Sequence, residues 1–94
     1  MILKNFALIG CGYWGAIIAN NLKKMKVINH IYIYDSKKNR VNIFKKKFKN
    51  FVKYKNIKFI LKQNDITHIF LATPPSQNFK LIKFFLESKK KIFV

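Results

Sequence analysis

The sequence predicts an α/β fold in which about five parallel strands form one sheet that is flanked by helices on both faces. Short apolar runs, rich in β-branched and aromatic residues, alternate along the chain with segments whose apolar residues recur at the helical period. No linker, low-complexity tract or internal repeat interrupts this alternation in the 94 residues. We therefore expect one domain over residues 1–94, with right-handed crossovers between its strands.

The first half of the chain contains two predicted strands, each followed by a predicted helix. Residues 6–9 form an apolar run that ends at Gly10, and residues 30–34 form a second run that ends at Asp35. The apolar face predicted for the first helix comprises Trp14, Ile17, Ile18, Leu22 and Met25. The face predicted for the second helix comprises Val41, Phe44, Phe48 and Phe51. The lysines on the other side of the second helix are interpreted as a solvated face.

The second half repeats the pattern. A short strand is predicted at residues 51–54, a helix at residues 57–62 and a buried strand at residues 67–72. Ser76 is expected to cap a further helix, and residues 91–94 begin one more strand. The inner face predicted for the helix after Ser76 comprises Phe79, Ile82, Phe85 and Leu86.

The composition excludes several classes of protein. A single cysteine forms no internal disulfide, and no apolar run approaches the roughly 20 residues of a membrane span. The N-terminus lacks the pattern of a signal peptide, so we expect a cytoplasmic protein that does not contact membranes. One cysteine, two histidines and three acidic residues do not assemble a metal-ligand cluster. The two histidines, His30 and His68, are expected at the starts of strands, away from a ligand site.

The formal charge of +17 leaves one alternative open. Such a charge is typical of proteins that bind nucleic acid or another polyanion. Nucleic-acid readers favour arginine, however, and this chain has only one. The excess of Lys together with Asn, Ile and Phe is what A/T-rich codons specify. We therefore interpret the charge as compositional bias and keep a basic nucleic-acid-binding module as the alternative function.

The chemically informative segment follows the first predicted strand. It has the G-x-G-x-x-G spacing of a dinucleotide-binding fingerprint, between an apolar strand and an amphipathic helix. We expect Gly10 to allow a tight turn, Gly12 to let the backbone approach a diphosphate, and Gly15 to let the helix pack closely. The candidate cofactor contacts in this loop are Gly10, Cys11, Gly12, Tyr13, Trp14 and Gly15.

The side chains between these glycines have separate interpretations. Cys11 is expected to be a small packed side chain, although a thiol at a helix N-terminus can be redox-active. Tyr13 and Trp14 either wall the phosphate site or pack the start of the helix, and for Trp14 a core position is favoured.

An acidic residue accompanies the glycines. Asp35 lies 20 residues after Gly15, at the end of the second predicted strand, where a carboxylate binds the adenosine ribose hydroxyls and repels a 2′-phosphate. Asp35 and the adjacent Ser36 are therefore candidate cofactor contacts, and the sequence favours NAD over NADP. NADP remains an alternative, because Lys37 and Lys38 can reach a 2′-phosphate if Asp35 turns away.

A second motif indicates a family. Residues 69–76, I-F-L-A-T-P-P-S, followed by an amphipathic helix and K-K-I-F-V, resemble the N-terminal NAD(P)-binding domain of the Gfo/Idh/MocA oxidoreductases (glucose–fructose oxidoreductase, inositol dehydrogenase and relatives). The resemblance implies a Rossmann-type fold with strand order 3-2-1-4-5 and a nicotinamide dinucleotide cofactor. It also implies hydride transfer to or from a CH–OH group of a sugar, nucleotide-linked sugar or polyol. By the same resemblance, Ala72, Thr73 and Pro74 are candidate cofactor contacts.

The sequence departs from the family pattern at two places. Asn78, also a candidate cofactor contact, stands where members often carry a histidine, and an amide does not titrate near neutrality. The family continues into an E-K-P motif, whose lysine is implicated in catalysis, at the point where this sequence reaches Val94. No catalytic residue is therefore assigned. The expectation is a cofactor-binding domain that is incomplete without a C-terminal domain for substrate binding and oligomerisation, or without a partner subunit. A truncated, inactive fragment is the remaining alternative.

Overall fold

The computed structural model describes residues 4–54 and 56–94. Strands and helices alternate through these residues, and a short 3₁₀ turn at Leu86–Ser88 precedes the last strand. The elements are β1 (Lys4–Ile9), α1 (Tyr13–Leu22), β2 (Ile28–Tyr34), α2 (Lys38–Lys47), β3 (Val52–Lys53), α3 (Ile57–Lys62), β4 (Ile66–Leu71), α4 (Pro75–Phe85) and β5 (Lys91–Phe93). The strands form one parallel sheet in the order β3-β2-β1-β4-β5, which confirms the predicted fold class and strand order.

The sheet is buried on both faces at its centre. Successive side chains of a strand point to opposite faces, so β1 supplies Phe6 and Leu8 to one core cluster and Ala7 and Ile9 to the other. The first cluster also contains side chains of α1 and α2, and the second contains side chains of α3 and α4. Two helices therefore cover each face, and the carboxyl ends of β1, β2 and β4 lie side by side at one edge of the sheet.

The buried face of α1 differs from the predicted one. Its buried residues are Gly15, Ala19 and Leu22, whereas Trp14 is 67% exposed and Met25 is also exposed. Small side chains at Gly15 and Ala19 let the helix axis approach the sheet, and this close approach decides which face is buried. Of the predicted face, Leu22 is buried and Ile18 packs against the same core cluster, whereas Trp14 and Met25 are displaced from it.

The helix α4 also departs from expectation in part. Phe85 is fully buried and Ile82 packs on the same core cluster, as predicted, but Phe79 is 73% exposed and Leu86 is exposed. Ser76 does not cap this helix, because the helix begins at Pro75 and no side chain caps its N-terminus. Proline suits the first helical position, where its missing N–H has no partner to lose.

The other boundaries move by a few residues. The prediction for α3 is confirmed at both ends. The strand β3 is shorter than the predicted 51–54, because Phe51 turns into the core beside Phe44 and Phe48. Val94 lies beyond the end of β5.

Two features are absent from the residues that the structure describes. None of their helices is both long enough and apolar enough to cross a bilayer. No three His, Cys, Asp or Glu side chains among them are grouped so that they can hold a metal ion. His68 instead packs on Phe6, with 4.5 Å between the ring centroids, in the half of the sheet remote from the strand carboxyl ends.

Candidate functional site

The candidate site lies at the carboxyl end of β1, where the glycine loop turns into α1. Gly10 has a φ of +109°, and its N–H donates to the Tyr34 carbonyl oxygen at 2.8 Å. A Cβ at Gly10 would lie 2.6 Å from the carbonyl oxygen of Ala72. The backbone conformation and the neighbouring chain both require glycine here, as expected for the tight turn.

The other two glycines have opposite surroundings. A Cβ at Gly15 would lie 2.0 Å from the Gly10 carbonyl oxygen, so this glycine is what allows α1 to pack against the loop. A Cβ at Gly12 would meet only Nη1 of Arg40, at 3.9 Å. Gly12 is the N-cap residue of α1, and no side chain caps the helix. The backbone at Gly12 therefore faces open space at a helix N-terminus, which suits the approach of an anion.

Cys11 is part of the core. Its side chain is buried, its thiol lies 3.8 Å from the Tyr34 carbonyl oxygen, and its backbone N–H donates to Asp35 Oδ2 at 2.8 Å. Burial, with a further contribution from the negative charge of Asp35, raises the pKa of the Cys11 thiol to about 12. Burial therefore outweighs the lowering of the thiol pKa that a helix N-terminus produces. The geometry favours the interpretation of Cys11 as a packed side chain.

Because the Cys11 thiol is buried and its pKa is raised, we expect it to be alkylated slowly. Cys11 is the chain's single cysteine, so alkylation by iodoacetamide reports on it directly. We expect the native chain to react at least about tenfold more slowly than the denatured chain at about pH 8, because the thiolate is the nucleophile. Equal rates in the two states would show that the thiol is neither buried nor shifted.

The raised pKa of Cys11 also makes the free energy of unfolding depend on pH. A folded-state pKa above the unfolded value stabilises the fold below the unfolded pKa, and this stabilisation is lost as pH rises from 9.0 towards about 12. The Cys11→Ala variant is therefore expected to lose less of its free energy of unfolding over that range than the unmodified chain.

Asp35 links the second strand to the glycine loop. Its Oδ2 accepts the Cys11 N–H, and its Oδ1 accepts the Lys37 N–H at 2.9 Å. The carboxylate is therefore held at the carboxyl end of β2, directly beside the loop. Ser36 follows it and is exposed. The spacing of 20 residues from Gly15 thus brings the acid to the glycine loop, as the sequence predicts.

The segment after β4 forms the opposite wall. The Ala72 N–H donates to the Ile9 carbonyl oxygen at 2.8 Å, which extends the pairing between β1 and β4 by one residue. The Thr73 hydroxyl donates to Oδ1 of Asn78, so Asn78 ties this segment to the first turns of α4. Pro74 is the N-cap residue of α4 and is exposed.

Tyr13 and Trp14 do not belong to the core. Their side chains are 77% and 67% exposed, and their rings meet edge to face with 5.7 Å between centroids. The core position predicted for Trp14 is wrong, because the close packing at Gly15 turns the preceding side chain outward. Both residues instead line a cleft beside the loop.

Two clefts meet over the glycine loop. The first, of about 460 Å³, includes Asp35 and Ser36, and the second, of about 770 Å³, includes Tyr13, Trp14 and Asn78. The residues that line both are Gly12, Arg40, Ala72, Thr73 and Pro74. Every sequence-predicted site residue except Gly15, which lies beneath the loop, lines at least one cleft.

Sequence analysis missed several residues of the first cleft. They are Arg40, Ile57, Gln77, Lys80 and Leu81, whereas Lys37 was expected from the sequence as the alternative contact of a 2′-phosphate. Among the described residues, this cleft has three cationic side chains beside one carboxylate, which favours an anionic ligand. The one signal in the sequence was the solitary arginine shortly after Asp35.

The family of the chain follows from a comparison with protein-family models. The model of the Gfo/Idh/MocA proteins, described as an oxidoreductase family with an NAD-binding Rossmann fold, matches residues 4–94. The chain belongs to this family. The predicted resemblance is confirmed, and the part that the chain contains is the family's NAD-binding Rossmann domain.

Solved structures share this fold with the Gfo/Idh/MocA chain. GenD2 from gentamicin A biosynthesis, solved in complex with NAD, superposes with a TM-score of 0.86 at 13% identity over 98% of this chain and 26% of its own. Myo-inositol 2-dehydrogenase from Lactobacillus plantarum superposes with a TM-score of 0.79 at 19% identity, over 96% of this chain and 27% of its own. UDP-N-acetylglucosamine 3-dehydrogenase GnnA from Acidithiobacillus ferrooxidans superposes with a TM-score of 0.77 at 15% identity, over 98% of this chain and 29% of its own.

These matches cover only a part of each solved structure. The chain spans about a quarter of the length of the structures it resembles, 26–29% in these three. No curated protein sequence matches it. The comparisons therefore concern the cofactor domain of the Gfo/Idh/MocA family, which matches residues 4–94.

Proposed function

We propose that the two clefts together hold NAD, with its diphosphate over Gly12. The adenosine half lies in the first cleft, where Asp35 and Ser36 face the ribose hydroxyls, and the nicotinamide half lies in the second. The observation that supports this arrangement most strongly is the open space at Gly12, because a dinucleotide that spans both clefts has to cross it. The loop backbone there presents no side chain to a diphosphate.

The remaining candidate contacts have supporting roles in this proposal. Gly10 and Gly15 shape the loop, and Cys11 fills the core beneath it. Ala72, Thr73 and Pro74 form the wall shared by both clefts. Asn78 orients the Thr73 hydroxyl by accepting its hydrogen bond, and Tyr13 and Trp14 shield the second cleft from solvent once the cofactor is bound.

The proposed activity is that of an oxidoreductase acting on a CH–OH group of a sugar, nucleotide-linked sugar or polyol. NAD supplies a hydride acceptor for such a reaction, and its reduced form supplies the donor. Among the described residues that line the second cleft there is no histidine, aspartate or glutamate side chain. The group that accepts the hydroxyl proton, and most of the substrate pocket, are therefore proposed to come from a C-terminal domain or a partner subunit. We further propose a cytoplasmic location and a homo-oligomeric or two-subunit enzyme.

The position of Asp35 gives a test of the cofactor proposal. Asp35→Ala removes the carboxylate that repels a 2′-phosphate, so we expect the preference for NADH over NADPH to fall by about tenfold. The measurement is the ratio of the two dissociation constants by calorimetry. Asp65→Ala is the matched control, because Asp65 is exposed and bonds to Asn5 near the start of β1. An unchanged ratio in Asp35→Ala would contradict the assigned position of the ribose.

The proposed activity is tested separately. A chain in which a Gfo/Idh/MocA E-K-P motif and C-terminal domain follow Val94 is expected to produce NADH from NAD with one or more polyols or nucleotide-linked sugars. The chain ending at Val94 is expected to produce none with the same compounds. NADH formation by the shorter chain alone would overturn the proposal that the proton acceptor lies elsewhere.

A further inference from the structure

Arg40 occupies the junction of the two clefts. It is the chain's single arginine, and it lies in the first turn of α2. Its side chain lines both clefts, and its Nη1 is 3.9 Å from the position of a Cβ built on Gly12. The guanidinium group therefore lies across the open space above the glycine loop.

No group in the described part of the chain holds the Arg40 side chain in this place. Among residues 4–54 and 56–94, no carbonyl or carboxylate accepts a hydrogen bond from the guanidinium group, and no carboxylate forms an ion pair with it. The nearby Asp35 carboxylate is already bonded to two backbone N–H groups. Arg40 is therefore an exposed cation whose donors are free to bind an anion in the cleft.

We propose that Arg40 binds the diphosphate of NAD and is a determinant of cofactor affinity. This inference rests on the proposed function, since it takes the diphosphate to lie over Gly12. A planar guanidinium presents paired N–H donors that match phosphate oxygens. The glycine backbone then contacts the diphosphate from one side and Arg40 contacts it from the other. The lysines of the first cleft, Lys37 and Lys80, do not line the second cleft, so Arg40 is the cation placed between the two nucleotide halves.

The test compares ligands that carry or lack the diphosphate. For Arg40→Gln we expect the dissociation constants of NADH and of ADP-ribose to rise by about tenfold, while that of adenosine is unchanged. Arg40→Lys should restore part of the affinity, because it keeps the charge without the paired donors. Lys46→Gln is the matched control, since Lys46 is an exposed cation of the same helix that lines neither cleft. The midpoint of thermal unfolding should be the same in all three variants.

The possible results separate this inference from the function on which it rests. If the unmodified chain binds NADH and Arg40→Gln binds it equally well, the role of Arg40 is wrong and the proposed function stands. If Arg40→Gln weakens NADPH but not NADH, Arg40 contacts a 2′-phosphate and the inference is also overturned. If the unmodified chain binds neither NADH nor ADP-ribose, both the inference and the proposed function fail.

Discussion

Gly15→Ala is expected to lower the midpoint of thermal unfolding by roughly 10–20 °C. The added Cβ would lie 2.0 Å from the carbonyl oxygen of Gly10, and Gly10 is itself held by the Tyr34 carbonyl. Backbone atoms on both sides of the contact leave no flexible side chain to move aside. To relieve the clash, α1 must shift away from the loop, which opens the core at Ala19 and Leu22. Circular dichroism during heating measures the effect.

Gly12→Ala is the control for this prediction. It adds the same methyl group to the same loop, but the new Cβ faces open space. Its φ of −97° is accessible to alanine, so we expect a shift of less than about 4 °C. Equal shifts in the two variants would show that α1 does not pack on the loop as described.

Gly12→Val is expected to have the largest effect on cofactor binding. A branched side chain fills the space between the clefts and covers the loop backbone, so we expect the dissociation constant of NADH to rise by roughly 10- to 100-fold. The fold should remain intact, since among the described residues the Arg40 guanidinium group is the one contact within 4 Å of the new Cβ. Calorimetric titration with NADH is the measurement.

Asn21→Val is the matched control for that loss of affinity. It places the same side chain on the same helix, at an exposed position that lines neither cleft. We expect its NADH affinity to equal that of the unmodified chain. Unaltered binding in Gly12→Val would contradict the passage of the diphosphate over Gly12.

The elements of the fold were predictable because the change between strand and helix period is clear in the sequence. The order of the strands followed from the family resemblance. The buried face of α1 was not predictable from apolar residues alone, because Gly15 and Ala19 face the sheet. Hydrophobic periodicity identifies the face of a helix that carries large apolar side chains. Where a helix packs closely on a sheet, however, the residues at the contact have to be small. Trp14 was placed in the core for that reason.

The candidate site was predictable where a residue's role depends on backbone geometry. The spacing of the glycines and of Asp35 is a local pattern, and the structure brings these residues to one edge of the sheet. Lys80 was not predictable, because it is one of many lysines, and the place of Arg40, although it is the single arginine, depends on how α2 and α4 meet the sheet. The interpretation of Cys11 as a packed side chain agrees with its burial and with its raised thiol pKa.

Binding of NADH to the unmodified chain tests the central claim most directly. Trp14 is the chain's single tryptophan and lines the second cleft, so a bound reduced nicotinamide should quench its emission by energy transfer. We expect the quenching to saturate, and to be reversed when NAD displaces the bound NADH. In Gly12→Val the midpoint of the titration should shift to a higher NADH concentration. Quenching that fails to saturate at millimolar NADH, or that NAD does not reverse, would contradict the central claim.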